Sequence, residues 1–109
     1  MILRDLISEL RKLDPNTRIK IGFHNPHSYR GRYECLAFEL TKDISIGEML
    51  KDANEALGDT YAGYKGGMFT MDEYTRVYLA FWGECGEELG ERLLAYMLAD
   101  VVAQKSQKS

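Results

Sequence analysis

The chain has 109 residues, 45% of them hydrophobic, which is the size and composition of one domain with a single modest core. Two cysteines, Cys35 and Cys85, are too few for a disulfide-stapled fold, and no apolar run is long enough for a membrane-spanning helix. The net charge of −3 hides an asymmetry: residues 1–32 carry seven Lys/Arg against three Asp/Glu, and residues 33–109 carry seven against fourteen. The acidic balance therefore argues against a nucleic-acid partner for the chain as a whole, and a local basic patch of Arg18, Lys20, Arg30 and Arg32 is what remains of that reading. Met1 leads directly into Arg4 and Asp5 with no apolar stretch behind them, so we expect no signal peptide, a cytoplasmic setting, no membrane partner and reduced thiols.

Leu3, Leu6, Ile7, Leu10 and Leu13 recur at helical spacing, which predicts an amphipathic helix over 2–13, ended by Asp14-Pro15-Asn16. Strict alternation then predicts a strand over 18–23, with Ile19, Ile21 and Phe23 on one face, and another over 33–41 with Leu36, Phe38 and Leu40. Between them lies a long hairpin connection, residues 24–32. Ser45 with Glu48 matches a capping box and opens a second helix, with Ile46, Met49, Leu50, Ala53 and Leu57 as its apolar stripe and Gly58 as its end.

Beyond a glycine-rich stretch, 67–71 and 75–82 read as two strands joined by a turn at Asp72-Glu73. On the second of these, Tyr78, Ala80 and Trp82, with Cys35 and Ala37 from the earlier strand, predict a partly apolar outer sheet face. Residues 83–86 break the chain, and Leu89, Leu93, Tyr96, Met97 and Val101 form the stripe of a final helix whose first turns carry Glu87, Glu88 and Glu91. The expected architecture is one α+β domain over 1–102, ordered α-β-β-α-β-β-α around a four-stranded antiparallel sheet, with a disordered polar tail over 103–109.

If each element crosses the domain once, the connections 24–32, 58–67 and 83–86 share one end. These are the segments richest in Gly, His, Tyr and Arg, so the site is expected there. His24, His27, Tyr29, Arg30 and Arg32 offer imidazoles, a phenol and guanidinium forks suited to an anion, and Tyr64 and Lys65 add an aromatic and an ammonium. The alternative is a solvated hairpin loop in which Asn25-Pro26 simply makes the turn. The run Gly63-Tyr-Lys-Gly-Gly67 lacks the spacing of a nucleotide-binding P-loop.

Cys85 with His24 or His27 as nucleophile and base is opposed by the neighbouring glutamates, and His24-x-x-His27 alone is a weak metal signal. Neither a catalytic residue, a metal nor a cofactor is assigned. The sequence reading is a non-enzymatic, homo-oligomeric binder of a small anionic ligand. The second reading is an inhibitor that holds a host protein through Tyr78 and Trp82, and the same residues also fit self-association.

Three stretches taken together extend this. Asn25-Pro-His-Ser-Tyr-Arg-Gly31 with Leu36-Ala-Phe-Glu39, Gly63-Tyr-Lys-Gly-Gly67 with Thr70-Met71, and Leu79-Ala80 with Gly83 and Gly86 resemble a group of short uncharacterised bacteriophage proteins. The resemblance implies an accessory or host-takeover factor acting in the host cytoplasm, either an inhibitor of a defence protein or a sponge for nucleotide signals.

Overall fold

The computed structural model describes residues 1–63, 65–82, 85–99 and 101, without the side chains of Phe81, Trp82 and Cys85. In chain order the elements are α1 (Leu3–Arg11), β1 (Arg18–Tyr29), β2 (Arg32–Ser45), α2 (Ile46–Ala56), β3 (Thr60–Ala62), β4 (Met68–Thr70), β5 (Val77–Trp82), β6 (Cys85–Glu88) and α3 (Glu91–Met97). They build one α+β domain around a four-stranded sheet in the order β1-β2-β5-β6, with β3 and β4 as a separate small hairpin. None of the described helices is long and apolar enough to cross a membrane. The tail expected over 103–109 lies outside the described residues.

The sheet is mixed, which corrects the antiparallel expectation. β1–β2 and β5–β6 are antiparallel, but β5 runs parallel to β2, with Leu36 opposite Val77 and Glu39 opposite Ala80. A parallel neighbour needs a crossover of a dozen or more residues, and α2 with the β3–β4 hairpin supplies it. The expected hairpin of the third and fourth strands is accordingly absent: β4 pairs with β3, Phe69 opposite Tyr61.

Residues 24–32 are not a long loop. β1 continues to Tyr29, and Arg30-Gly31 makes a two-residue turn into β2. The interruption that Asn25-Pro26 suggested is a bulge, where the register shifts between His24 and His27 and Asn25 takes a left-handed φ of 50°. Proline is tolerated because β1 is the sheet edge, where a missing N–H breaks no ladder bond. A second register shift follows Ser28, whose buried hydroxyl donates to the Tyr33 carbonyl at 2.6 Å. At the other edge, Cys85–Glu88 form a strand rather than a connection.

α1 buries Leu3, Leu6, Ile7 and Leu10, and α2 buries Ile46, Met49, Ala53 and Ala56, against a floor of Ile19, Phe23, Leu36, Phe38, Val77 and Leu79. The capping box forms as expected: Ser45 Oγ accepts from the Glu48 N–H at 3.1 Å, and Glu48 Oε2 accepts from the Ser45 N–H at 2.9 Å. Close approach of α2 to β1 requires Gly22, where a β-carbon would meet Ile44 Cγ2 at 2.5 Å and Met49 Sδ at 2.8 Å.

Three residues of the expected apolar faces point elsewhere, the first being Leu57, which is exposed because α2 ends at Ala56 and Leu57 is its extended C-cap. α3 starts at Glu91, so Leu94, Met97 and Val101 set its buried side and Tyr96 faces out at 70% exposure. Leu40 is 45% exposed because pairing with β5 stops at Glu39, leaving that stretch of β2 without a neighbour on one side.

Part of the outer sheet face is covered by the chain itself. Tyr29 folds across Cys35, Ala37 and Ala80 and stacks on Tyr78 with centroids 4.4 Å apart and planes at 12°. Its ring fits because two neighbours are glycines: a β-carbon at Gly31 would meet Tyr29 Cε2 at 2.8 Å, and one at Gly86 would meet Tyr29 Cε1 at 3.1 Å.

Candidate functional site

The three connections expected at one end fall into two groups. Because β5 runs parallel to β2, the end of β5 and the start of β6 lie at the opposite end of the sheet from Arg30-Gly31, and residues 83 and 84 fall outside the described residues. The other two do meet. The ring of Tyr33, the second residue of β2, packs on Phe69 of β4 at 5.7 Å, and a β-carbon on Gly63 would touch Tyr33 Cγ at 3.2 Å. The β3–β4 tip is thereby fixed against the start of β2, and Lys65 shares an end of the molecule with Arg30 and Arg32.

That tip is built from its sequence. Gly66 and Gly67 adopt φ of 108° and 84°, a region costly for other residues, and Gly63 N–H donates to the Gly67 carbonyl at 2.9 Å. Arg30, Arg32 and Lys65 are exposed, and Tyr33, next to Arg32 in the chain, is half-buried. A guanidinium presents a planar donor fork to phosphate or carboxylate, and Lys65 supplies a point charge. Tyr64 falls outside the described residues.

The remaining expected site residues are elsewhere. Tyr29 is buried, 7% exposed, in its stack with Tyr78. The phenol expected in a binding loop is therefore packed within the fold, and Tyr78 on the outer face is half-buried beneath it. The side chain of Trp82 is outside the described set.

His24 and His27 flank the bulge, where Asn25 is a hydrogen-bonding hub. Asn25 Nδ2 donates to Glu39 Oε2 at 3.0 Å, its carbonyl accepts from His27 Nδ1–H at 3.0 Å, and its backbone N–H donates to the Asp52 carboxylate on α2. The carbonyl is acceptor-only, so His27 carries a proton on Nδ1. Burial, with Glu55 nearby, pushes the Asp52 carboxyl up despite that bond. Burial and then Asp59 push the Tyr61 phenol on β3 up to about 12, so it stays protonated.

Cys85, the candidate nucleophile, has its side chain outside the described set. Cys35 is buried, its thiol pushed up by burial and then by Glu34, the reverse of an activated nucleophile. Glu87 and Glu88 belong to β6 rather than to a helix start, and Glu88 is held below the usual carboxylate range by its hydrogen bond from Arg76 Nη1 at 2.9 Å.

Sequence reasoning overlooked Tyr33 and Phe69 as the clasp between the two turns, and Asp52 as a partner of the bulge. Tyr33 follows Arg32 directly, a signal that was there to read. A carboxylate on a polar helix face gives none.

Known protein families, curated proteins and solved structures offer no match to this chain.

Proposed function

We propose that the protein is a non-enzymatic binder of a small anionic, nucleotide-like ligand held by Arg30, Arg32 and Lys65 at the joined ends of the two hairpins. The observation that supports this reading is the packing of Tyr33, next in sequence to Arg32, on Phe69 and Gly63, the latter lying two residues before Lys65. Guanidinium forks and an ammonium suit a phosphate or carboxylate met from solution. Aromatic faces beside them suit a base or another planar group. In this reading the chain is a small accessory protein of the bacteriophage type, oligomeric and cytoplasmic, that holds a nucleotide signal away from host defence.

Calorimetric titration with adenosine diphosphate tests it. Arg32→Ala removes a charge-assisted pair of about 1.5–3 kcal/mol, so affinity falls by about tenfold or more while the urea midpoint stays in place. A variant that binds as the parent does, or that loses stability instead of affinity, refutes the assignment. The reading as a protein-interaction inhibitor has less support, because Tyr78 already stacks on Tyr29 within the chain.

A further inference from the structure

We propose that the groove between α1 and α3 is a docking site for a basic amphipathic helix of a partner protein. The two helices bury their apolar sides in the same core and leave between them an open groove of about 730 Å³, within the range of binding sites. Small side chains keep it open: Ser8 on α1, Gly90 at the N-cap of α3, and Ala95. A β-carbon at Gly90 would meet nothing within 4 Å.

Its walls combine apolar and acidic positions at helical spacing. Leu94 and Leu98 stand one turn apart on α3, the first buried and the second half-buried, and the half-buried Met1 lines the same groove just ahead of α1. Asp5 and Glu9, one turn apart on α1, and Glu91 in the first turn of α3 are all exposed, so carboxylates stand on both walls. No lysine, arginine or histidine is among the described residues that line it. Its one cation is the Met1 α-ammonium, which already donates to the Leu89 carbonyl at 2.8 Å and to Glu88 at 3.5 Å. Asp5 and Glu9 pair with cations of their own helix, Arg4 at 3.6 Å and Lys12 at 3.0 Å, and every member of those pairs is about half exposed or more. Surface pairs of this kind are weak and give way to another cation, and Arg4 and Lys12 themselves line a separate groove with Arg11.

An apolar floor between acidic walls is complementary to a segment of the reverse pattern, with leucine-type anchors along one stripe and lysine or arginine on either side of it. A helix presents that pattern at i, i+3, i+4 and i+7, and a groove between two helices receives it as a third. α1 has nine residues and is about 14 Å long, so the matching segment is about three turns. The stems of its basic side chains cover the rim while their charges meet the carboxylates. An acidic helix meets like charge on both walls instead. None of the residues proposed to hold the anion lines this groove, so the two assignments are independent.

The test is a backbone amide chemical-shift titration of the full chain with a synthetic peptide of about fourteen residues, roughly four turns, with leucine at i, i+3, i+4 and i+7 and lysine elsewhere. A counterpart with glutamate in place of lysine is titrated beside it. The expected result is a saturable set of shifts at 5–9 and 90–98 with the lysine peptide, and binding at least about tenfold weaker with the glutamate peptide. Ala95→Arg fills the groove with a cation at an exposed helical position where arginine is well tolerated. It therefore weakens the lysine peptide by at least about tenfold with unchanged circular dichroism, and Arg32→Ala leaves binding as it was. Shifts that never saturate, equal binding of the two peptides, or binding that survives Ala95→Arg overturn the site. Shifts at these residues that grow with protein concentration before any peptide is added assign the groove to a second copy of the chain and overturn it equally.

Discussion

Replacing Tyr29 by alanine removes the ring that covers part of the outer face of the sheet. That ring is 7% exposed, lies over Cys35, Ala37 and Ala80, and stacks on Tyr78. Buried aromatic-to-alanine changes cost about 3–5 kcal/mol, of which a stacked pair accounts for about 0.5–1.5 kcal/mol. Tyr29 borders a two-residue turn that can partly relax into the space, so the lower end, about 3 kcal/mol, is expected. This is a large share of the roughly 5–15 kcal/mol that holds a domain together. Urea unfolding followed by circular dichroism reads it directly, and an unchanged m-value shows that the fold itself is retained. A cycle with Tyr78→Ala isolates the stack, with an expected coupling of about 0.5–1.5 kcal/mol. A loss under about 1 kcal/mol together with no coupling would refute the packing and return Tyr29 to an exposed loop.

Gly22→Ala places a β-carbon within 2.5 Å of Ile44 Cγ2, and overpacking of this kind costs about 1–3 kcal/mol, read as a lowered urea midpoint; an unchanged midpoint would show that α2 does not lie where it is described. The two perturbed carboxylates on α2 act with opposite sign. Glu48 is held below its ordinary 4.5 by the Ser45 N–H, so its stabilising contribution is present above that value and is lost as pH falls through the folded value; the stability difference between the parent and Glu48→Gln therefore closes in acid. Asp52 is raised above 3.8 by burial, so its contribution is fullest at low pH and is lost as pH rises through the folded value, and Asp52→Asn removes that dependence. In a Cys85→Ser chain, the remaining thiol, Cys35, should resist Ellman's reagent until urea unfolds the protein, and rapid labelling in native buffer would contradict its burial.

Local chemistry made part of this fold legible. The capping box at Ser45 and Glu48, the alternation from Ile19 to Phe23 and the first helical stripe each have a cause within a few residues, and each formed. What was misread depended on distant partners. Asn25-Pro26 has the composition of a loop, and only the position of β1 at the sheet edge turns it into a bulge. The parallel pairing of β2 with β5 is set by a crossover of some thirty residues, which no local pattern encodes. Of the expected site, Arg30, Arg32 and Lys65 were placed at one end by sequence reasoning, and the structure brings their two hairpins together. Tyr29 was read as a ligand residue because its environment, two glycines and three small side chains from four other strands or turns, is assembled only in the fold.

The most direct test is a map of backbone amide shifts on addition of adenosine diphosphate to the unmodified chain. The proposed function predicts saturable shifts concentrated at 30–34 and 62–69, abolished together by Arg32→Ala and Lys65→Ala. No saturable shift at those residues, or a response confined to another surface, would contradict it.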